Sequence, residues 1–356
     1  RRFFQMSPYS TGIHKTVASS RVPPRGKQDK GFHIVTEDVI TPPTATDVDE
    51  WYQGLGQLGI VRSLGGAHRA MLVEDSRTLL VTFERADALR ATGHDMPLGQ
   101  RLAQDSGVSA LTILCEGETW FRDRDVYAYF DDLIDEAFFD DFDRVVFYGE
   151  GCCGYAAAAY SVAAPGSVVI ALRPQASLDA RVAEWDQRFF DRRRLNFTDR
   201  FGYAPDMLDA AEHAFVVYDP EQDYDAMHAA LFTRRNVSKL RTRFLGDQIG
   251  EMLMGMGILE EILDAACEGQ LSETVFNRLY RARRNYAPYL NVLLDVFDDG
   301  MRPYMTAAMC KSVSDRMEMP NHRRRLKDLA RSFKDQGNPL PFWDTKPVSE
   351  PEVESA

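Results

Sequence analysis

The stretch RVVFYGEGCCGYAAAAY, residues 144–160, decides how the rest of the chain is read. Its opening, 144–148, is apolar without alternation, which is the pattern of a strand buried on both faces. It runs directly into a turn carrying Gly149, Gly151 and Gly154, and then into a segment over 155–162 that is rich in alanine and reads as a helix. Glycines permit a sharp backbone turn, and alanines let a helix lie close against the strand it follows.

Working outward, the same alternation continues on both sides. Strands are expected over 70–73, 78–83, 110–115, 144–148, 167–172, 214–218 and 237–244, and helices over 47–58, 125–136, 155–162, 178–190 and 225–232. Asp47 is the expected N-cap of the first helix. Apolar strands separated by helices argue for a mainly parallel sheet covered on both faces, and right-handed crossovers then give a three-layer, doubly wound α/β domain. From residue 248 the pattern becomes purely helical, with periodic segments over 248–267, 272–284, 286–297, 301–317 and 322–333 broken near Gly269, Gly300 and Pro320. The expected organisation is a disordered leader over 1–45, an α/β domain over 46–247, a helical C-terminal segment over 248–335 and a flexible tail over 336–356.

The chain has 356 residues, is 44% hydrophobic and carries a formal net charge of −12. That length and composition allow a sizeable core. The acidic balance speaks against general attraction to nucleic acid or anionic membranes. The five cysteines are irregularly spaced and contain no CxxC pair, so neither a disulfide framework nor a zinc site is expected, and a reducing, cytoplasmic setting fits. No run of eighteen apolar residues is present, and the apolar segment that an export signal needs does not follow Arg1 and Arg2; Met6 is a candidate start. No metal constellation and no Walker-type phosphate loop appears, and no cofactor is expected.

The 144–160 stretch resembles the nucleophile elbow of the α/β-hydrolase family, whose usual form is Gly-x-Ser-x-Gly-Gly after an apolar strand. Aligned on the strand end, Gly149 takes the first Gly, Gly151 takes the Ser position, and Cys153 with Gly154 takes the Gly-Gly position. That frame has no nucleophile. Shifting by one residue makes Cys152 the nucleophile with Glu150 in place of the first Gly; shifting by two makes it Cys153, with Tyr155 where the last Gly belongs. The resemblance extends in element order over about 79–253. It implies an acid after a later strand, where Asp219 stands, and a His after the last strand, near 243–248, where there is none. His228, on the preceding helix, is the remaining imidazole candidate. Triad chemistry needs a nucleophile, a base and an orienting acid within reach of one another. The expectation is therefore a hydrolase-like scaffold that has lost hydrolysis and binds a small molecule or a protein at the former active-site rim. The alternative is a cysteine-dependent hydrolase or acyltransferase using Cys152 or Cys153, with Asp219 and His228.

Strand C-terminal ends face the ligand crevice of open α/β sheets. Arg173, Gln175 and Ser177, after the strand at 167–172, are thus candidates for an anionic or sugar-like ligand, together with the elbow glycines. Trp120, after the strand at 110–115, is a candidate for a binding lip. The basic runs at 192–194 and 322–325 read as solvated faces, or as partners for the acidic runs at 131–132 and 140–141 within one subunit or between copies in a homo-oligomer.

Over about 51–326 the chain also looks like a group of alphaproteobacterial proteins often labelled phosphoadenosine phosphosulfate reductase, on stretches such as 174–176, 198–208 and 225–232. That label implies sulfonucleotide reduction with thioredoxin. The phosphate loop of Ser-Gly-Gly-Lys-Asp type is missing, and Cys310 sits in Ala-Met-Cys-Lys rather than in a Glu-Cys-Gly motif.

Overall fold

Apolar runs without alternation become the middle of one twisted sheet, and the segments between them become its covering layers. A computed structural model describes residues 45–341. The leader expected over 1–45, save Ala45, and the expected tail beyond 341 lie outside the described residues. Up to the end of the sheet the elements are α1 (Ala45–Leu55), β1 (Ile60–Leu64), β2 (His68–Val73), β3 (Thr78–Arg85), α2 (Ala86–Ala91), α3 (Leu98–Ser106), β4 (Ser109–Cys115), α4 (Arg124–Asp135), β5 (Arg144–Glu150), α5 (Cys152–Tyr160), β6 (Val168–Leu172), α6 (Ala180–Ala183), α7 (Ala204–Met207), β7 (His213–Tyr218), α8 (Asp223–Leu231) and β8 (Val237–Arg241). The helices α9 (Ile249–Gly255), α10 (Leu259–Cys267), α11 (Glu273–Leu279), α12 (Ala287–Asp299), α13 (Pro303–Ser314) and α14 (Pro320–Asp335) follow.

The eight strands are ordered β1-β2-β4-β3-β5-β6-β7-β8. β2 runs antiparallel to β1 and β4, and every other pairing is parallel. This is the strand order of the α/β-hydrolase fold. One face packs α4, α5 and α7 around Phe83, Phe147, Val169 and Val216. The other packs α3, α9 and α10 around Leu80, Val146, Ile170 and Val217. α4 shows the usual half-buried helix: Asp123 caps it by accepting from the Asp125 amide at 2.9 Å, and Val126, Tyr129, Phe130 and Leu133 face the sheet. α5 is buried on every side, which suits its lack of polar residues.

The helical C-terminal segment is present, and its first half belongs to the sheet's second layer: Ile249, Leu253, Ile262 and Leu263 share one core with strand residues. α12, α13 and α14 enclose their own clusters around Leu294, Cys310 and Leu326, and around Leu290, Val313 and Met319. Leu340, within the expected tail, is buried against the first of these.

Several expected elements differ. The helix over 178–190 is reduced to α6. Beyond it the Asp186 carboxylate accepts from the Arg188 amide, and Arg193 donates to the carbonyls of Ala183, Glu184 and Asp186, so side chains satisfy the backbone that a longer helix would have paired. The helix over 248–267 is two helices, because Gly257 turns the chain at φ +72°. The first helix begins at Ala45, so Asp47 lies inside it rather than at its cap.

Candidate functional site

Gly151 occupies the apex of the turn between β5 and α5, at φ +61° and ψ −120°. Its amide donates to Leu172 O at 2.9 Å, and its carbonyl accepts from the Tyr155 amide at 2.9 Å, so the apex is tied to both β6 and α5. A positive φ with that ψ is a region that side-chain-bearing residues adopt only under strain. The glycines on either side serve a different purpose. A Cβ on Gly149 would lie 2.2 Å from Cys153 O, and one on Gly154 would lie 2.7 Å from Leu172 O, so strand and helix approach too closely for any side chain. A Cβ on Gly151 would meet nothing nearer than the Arg173 guanidinium, at 3.7 Å. The apex of the turn is thus Gly151, with space beside it for a Cβ.

Beside the apex, Arg173 lies at φ +38° just beyond β6, its amide donating to Val217 O at 2.7 Å. Its Nε donates to Glu150 Oε1 at 3.3 Å. Both Glu150 oxygens accept from the Gly250 amide, at 3.2 Å each. Burial raises the Glu150 carboxyl above its ordinary range, and Arg173 and the Gly250 amide pull it back only in part.

Next to the apex, Cys152 and Cys153 are buried at the start of α5. A hydrogen bond with Cys153, aided by Arg85, lowers the Cys152 thiol against the opposing effect of burial. Hydrogen bonds with Cys115 and Cys152, then burial, push the Cys153 thiol well up. Only Cys153 of the two borders the cavity described below.

Among the described residues Asp219 and His228 bond to other groups and not to each other. Asp219, buried after β7, accepts from the amides of Glu221 at 2.9 Å and Gly246 at 2.8 Å, and so pins the loop after β8 to the end of β7. Where the base would stand, Asp247 and Gln248 face the cavity. His228 is directed elsewhere: Nδ1 accepts from the Ala176 amide at 3.2 Å and Nε2 donates to Asp186 Oδ2 at 3.0 Å, with both side chains fully buried. It does not border the cavity, and both ring nitrogens are engaged in holding α8 to the loop after β6. The assignment of His228 as a base is corrected accordingly.

Two further expectations are corrected by burial. Trp120 is wholly enclosed, its indole donating to Gln175 Oε1 at 3.1 Å and packing edge-on against Phe189. Trp120 and Phe121 both have positive φ, which turns the chain after β4 inward instead of leaving it as a lip. Gln175 in turn donates to Arg173 O at 3.2 Å, and Ser177 Oγ accepts from the Asp179 amide at 3.1 Å, so both are loop-forming groups rather than ligand contacts. Of that trio Arg173 alone borders the cavity.

The cavity itself, about 480 Å³, opens at the C-terminal ends of β3, β5 and β6 between α2, α3 and α9. That is the size and the sheet edge typical of small-molecule sites. Its lining includes three groups that the sequence did not single out: Glu84, Tyr148 and His94. Glu84, at the end of β3, accepts from Thr82 Oγ1 at 2.7 Å and from the Leu98 and Gly99 amides at 2.9 and 3.1 Å. Burial raises its carboxyl despite those three bonds. Tyr148 is 6% exposed, and its hydroxyl has no hydrogen-bond partner among the described residues. His94, from the loop between α2 and α3, is the imidazole on this lining; its carbonyl accepts from the Trp51 indole at 3.2 Å. A lone acid ending an otherwise apolar strand, as at Glu84 and Glu150, is the signal by which these groups could have been found. Among the described residues no cluster of metal-ligating side chains occurs, and no helix is long and apolar enough to cross a membrane.

No protein-family model matches the chain, and no curated protein matches it significantly. Solved structures similar to it include the capsule O-acetyltransferase of Neisseria meningitidis serogroup A, at 10% identity over 56% of this chain and 93% of that one, with a TM-score of 0.38. A hyperthermophilic esterase from the archaeon Pyrobaculum calidifontis is similar at 16% identity over 67% of this chain and 93% of that one, with a TM-score of 0.38. Est1E from Butyrivibrio proteoclasticus is similar at 16% identity over 61% of this chain and 98% of that one, with a TM-score of 0.37. The fold assignment rests on the strand order and the elbow, not on these likenesses. The chain has an α/β-hydrolase-like fold.

Proposed function

We propose that this protein is a hydrolytically inert α/β-hydrolase-like protein that binds a small molecule in the cavity beneath the elbow. The observation that carries this is Gly151, which holds the nucleophile's place on the strained turn with no side chain, beside a guanidinium. Without a nucleophile there is no acyl intermediate, and an acid bonded to backbone amides has no base to orient. What remains is a concave, mostly apolar space with a few convergent polar groups, which is the composition of a ligand site. A concavity of this kind fits a small molecule better than a protein surface.

A second reading is favoured by one observation, the place of Cys152 directly after the apex as the first residue of α5: a cysteine-dependent acyl transfer. The sulfonucleotide reductase reading is less well supported, since Cys310 is buried in α13 and burial pushes its thiol up to about 11. The two leading readings separate by intact-mass measurement after incubation with acylating probes directed at thiols and hydroxyls. An inert elbow yields no stoichiometric adduct at residues 149–154; acylation of Cys152 or Cys153 would establish the second reading instead.

A further inference from the structure

The charges around the cavity are not balanced, and the imbalance has a direction. Each guanidinium on the lining already holds a carboxylate: Arg85 pairs with Asp87 at 2.5 Å and with Glu118 at 3.5 Å, Arg101 with Glu260 at 3.1 Å, and Arg173 with Glu150 at 3.3 Å. Three lining carboxylates have no such partner among the described residues. Glu84 is bonded only to a hydroxyl and two amides, with Arg101 acting on it from a distance, and Asp247 and Glu251 stand on the rim without an ion pair.

The floor repeats the pattern. Thr82 and Tyr148 are directly paired across β3 and β5, and Glu84 and Glu150 each lie two residues beyond that pair, on the same face of the sheet. The Tyr148 hydroxyl therefore lies near two carboxylates, the buried Glu84, which Arg101 reaches only from a distance, and the half-buried Glu150, which Arg173 pairs. Burial and the two glutamates push its phenol well above its usual range, so it stays a neutral hydroxyl with a free lone pair. That hydroxyl has no hydrogen-bond partner among the described residues and faces the cavity, where a ligand or water can meet it. The walls above this floor are apolar, formed by Leu89, Met96, Leu98, Met254 and Leu259.

Resting on the reading of this cavity as a binding site, we propose that its ligand is an organic cation, a protonated amine on an apolar body, with the ammonium group lodged at Glu84, Tyr148 and Glu150 and the body against the α2, α3 and α9 wall. An ammonium N–H donates to the carboxylates and to the Tyr148 oxygen, and supplies the positive charge that the lining lacks. An anion would meet guanidiniums already engaged and carboxylates that repel it.

The test is calorimetric titration of the full chain with three six-carbon probes, hexylamine, hexanol and hexanoate, at neutral pH and low salt. Hexylamine should bind about tenfold tighter than either of the others, the size of one charge-assisted hydrogen bond set against a neutral one. Tyr148→Phe and Glu251→Gln should each weaken hexylamine and leave hexanol unchanged; these two keep the proposal testable if Glu84→Gln, which removes bonds to α3, fails to fold. Equal or tighter binding of hexanol or hexanoate overturns the proposal but leaves a ligand-binding cavity in place. Binding of none of the three overturns it as well. Release of product from an ester at this site would instead overturn the inert reading, whatever the amine preference.

Discussion

The turn after β5 and the loops after β7 and β8 differ in what they place where the α/β-hydrolase resemblance expects a triad. At the turn after β5 the apex is Gly151, at φ +61° and ψ −120° with room for a Cβ. After β7 the acid position holds Asp219, which accepts from two backbone amides. A fold preserves what its packing requires. Gly149, Gly154 and the amide-bound carboxylate hold the sheet edge together, and under the proposed reading a nucleophile and a base can be absent while the scaffold stays whole.

The largest effect expected from this contrast lies within the turn. Gly149→Val drives side-chain atoms into the Cys153–Gly154 peptide and should cost roughly 4 kcal/mol or more, enough to abolish cooperative folding in urea. Next is His228→Ala, which leaves the buried Asp186 and the Ala176 amide each short of a partner and should cost about 2–3 kcal/mol by the same measurement. If His228 were instead a dispensable catalytic base, its removal would cost almost no stability.

Acid titration sharpens the point. Burial alone would raise the Asp186 carboxyl, but hydrogen bonds from His228 and Arg188 outweigh it and hold the group below the ordinary carboxylate range. A depressed folded value means that the stabilisation is fully present above about pH 4 and is lost as the pH falls through the lower folded value. Asp186→Asn should therefore be less stable than the parent at neutral pH and lose less stability on acidification below about pH 4. The smallest effect belongs to Gly151→Ala. Its Cβ has space, so only the positive φ opposes it, and the expected cost is about 1–2 kcal/mol. A cost as large as that of Gly149→Val would mean that the apex is closed rather than open.

Much of the sheet was legible in the sequence, because buried parallel strands write themselves as uninterrupted apolar runs, and β3 to β7 all do so. β1 was not, since Ile60–Leu64 is a largely exposed edge strand with Arg62 and Ser63 in its middle. Nor was α3, whose Gly99 looks like a helix breaker but is required where the helix presses on the hydroxyls of Thr82 and Thr112. The sharp turn after β5 was readable from its glycines. The surrounding site was not, because sequence order does not say whether a loop stands at the rim or folds back. Trp120 and Gln175 follow strand ends as Arg173 does, yet they bond to each other in the interior. Glu84, Glu150 and Tyr148 acquire meaning only when β3 and β5 are set side by side.

The proposal that the elbow is inert is tested most directly by ester turnover. The full chain and its Cys152→Ala, Cys153→Ala double variant should hydrolyse p-nitrophenyl acetate at one and the same rate, that of the buffer with unfolded protein present. Saturable turnover by the parent that the double substitution abolishes would show that a thiol has taken over the place Gly151 leaves open.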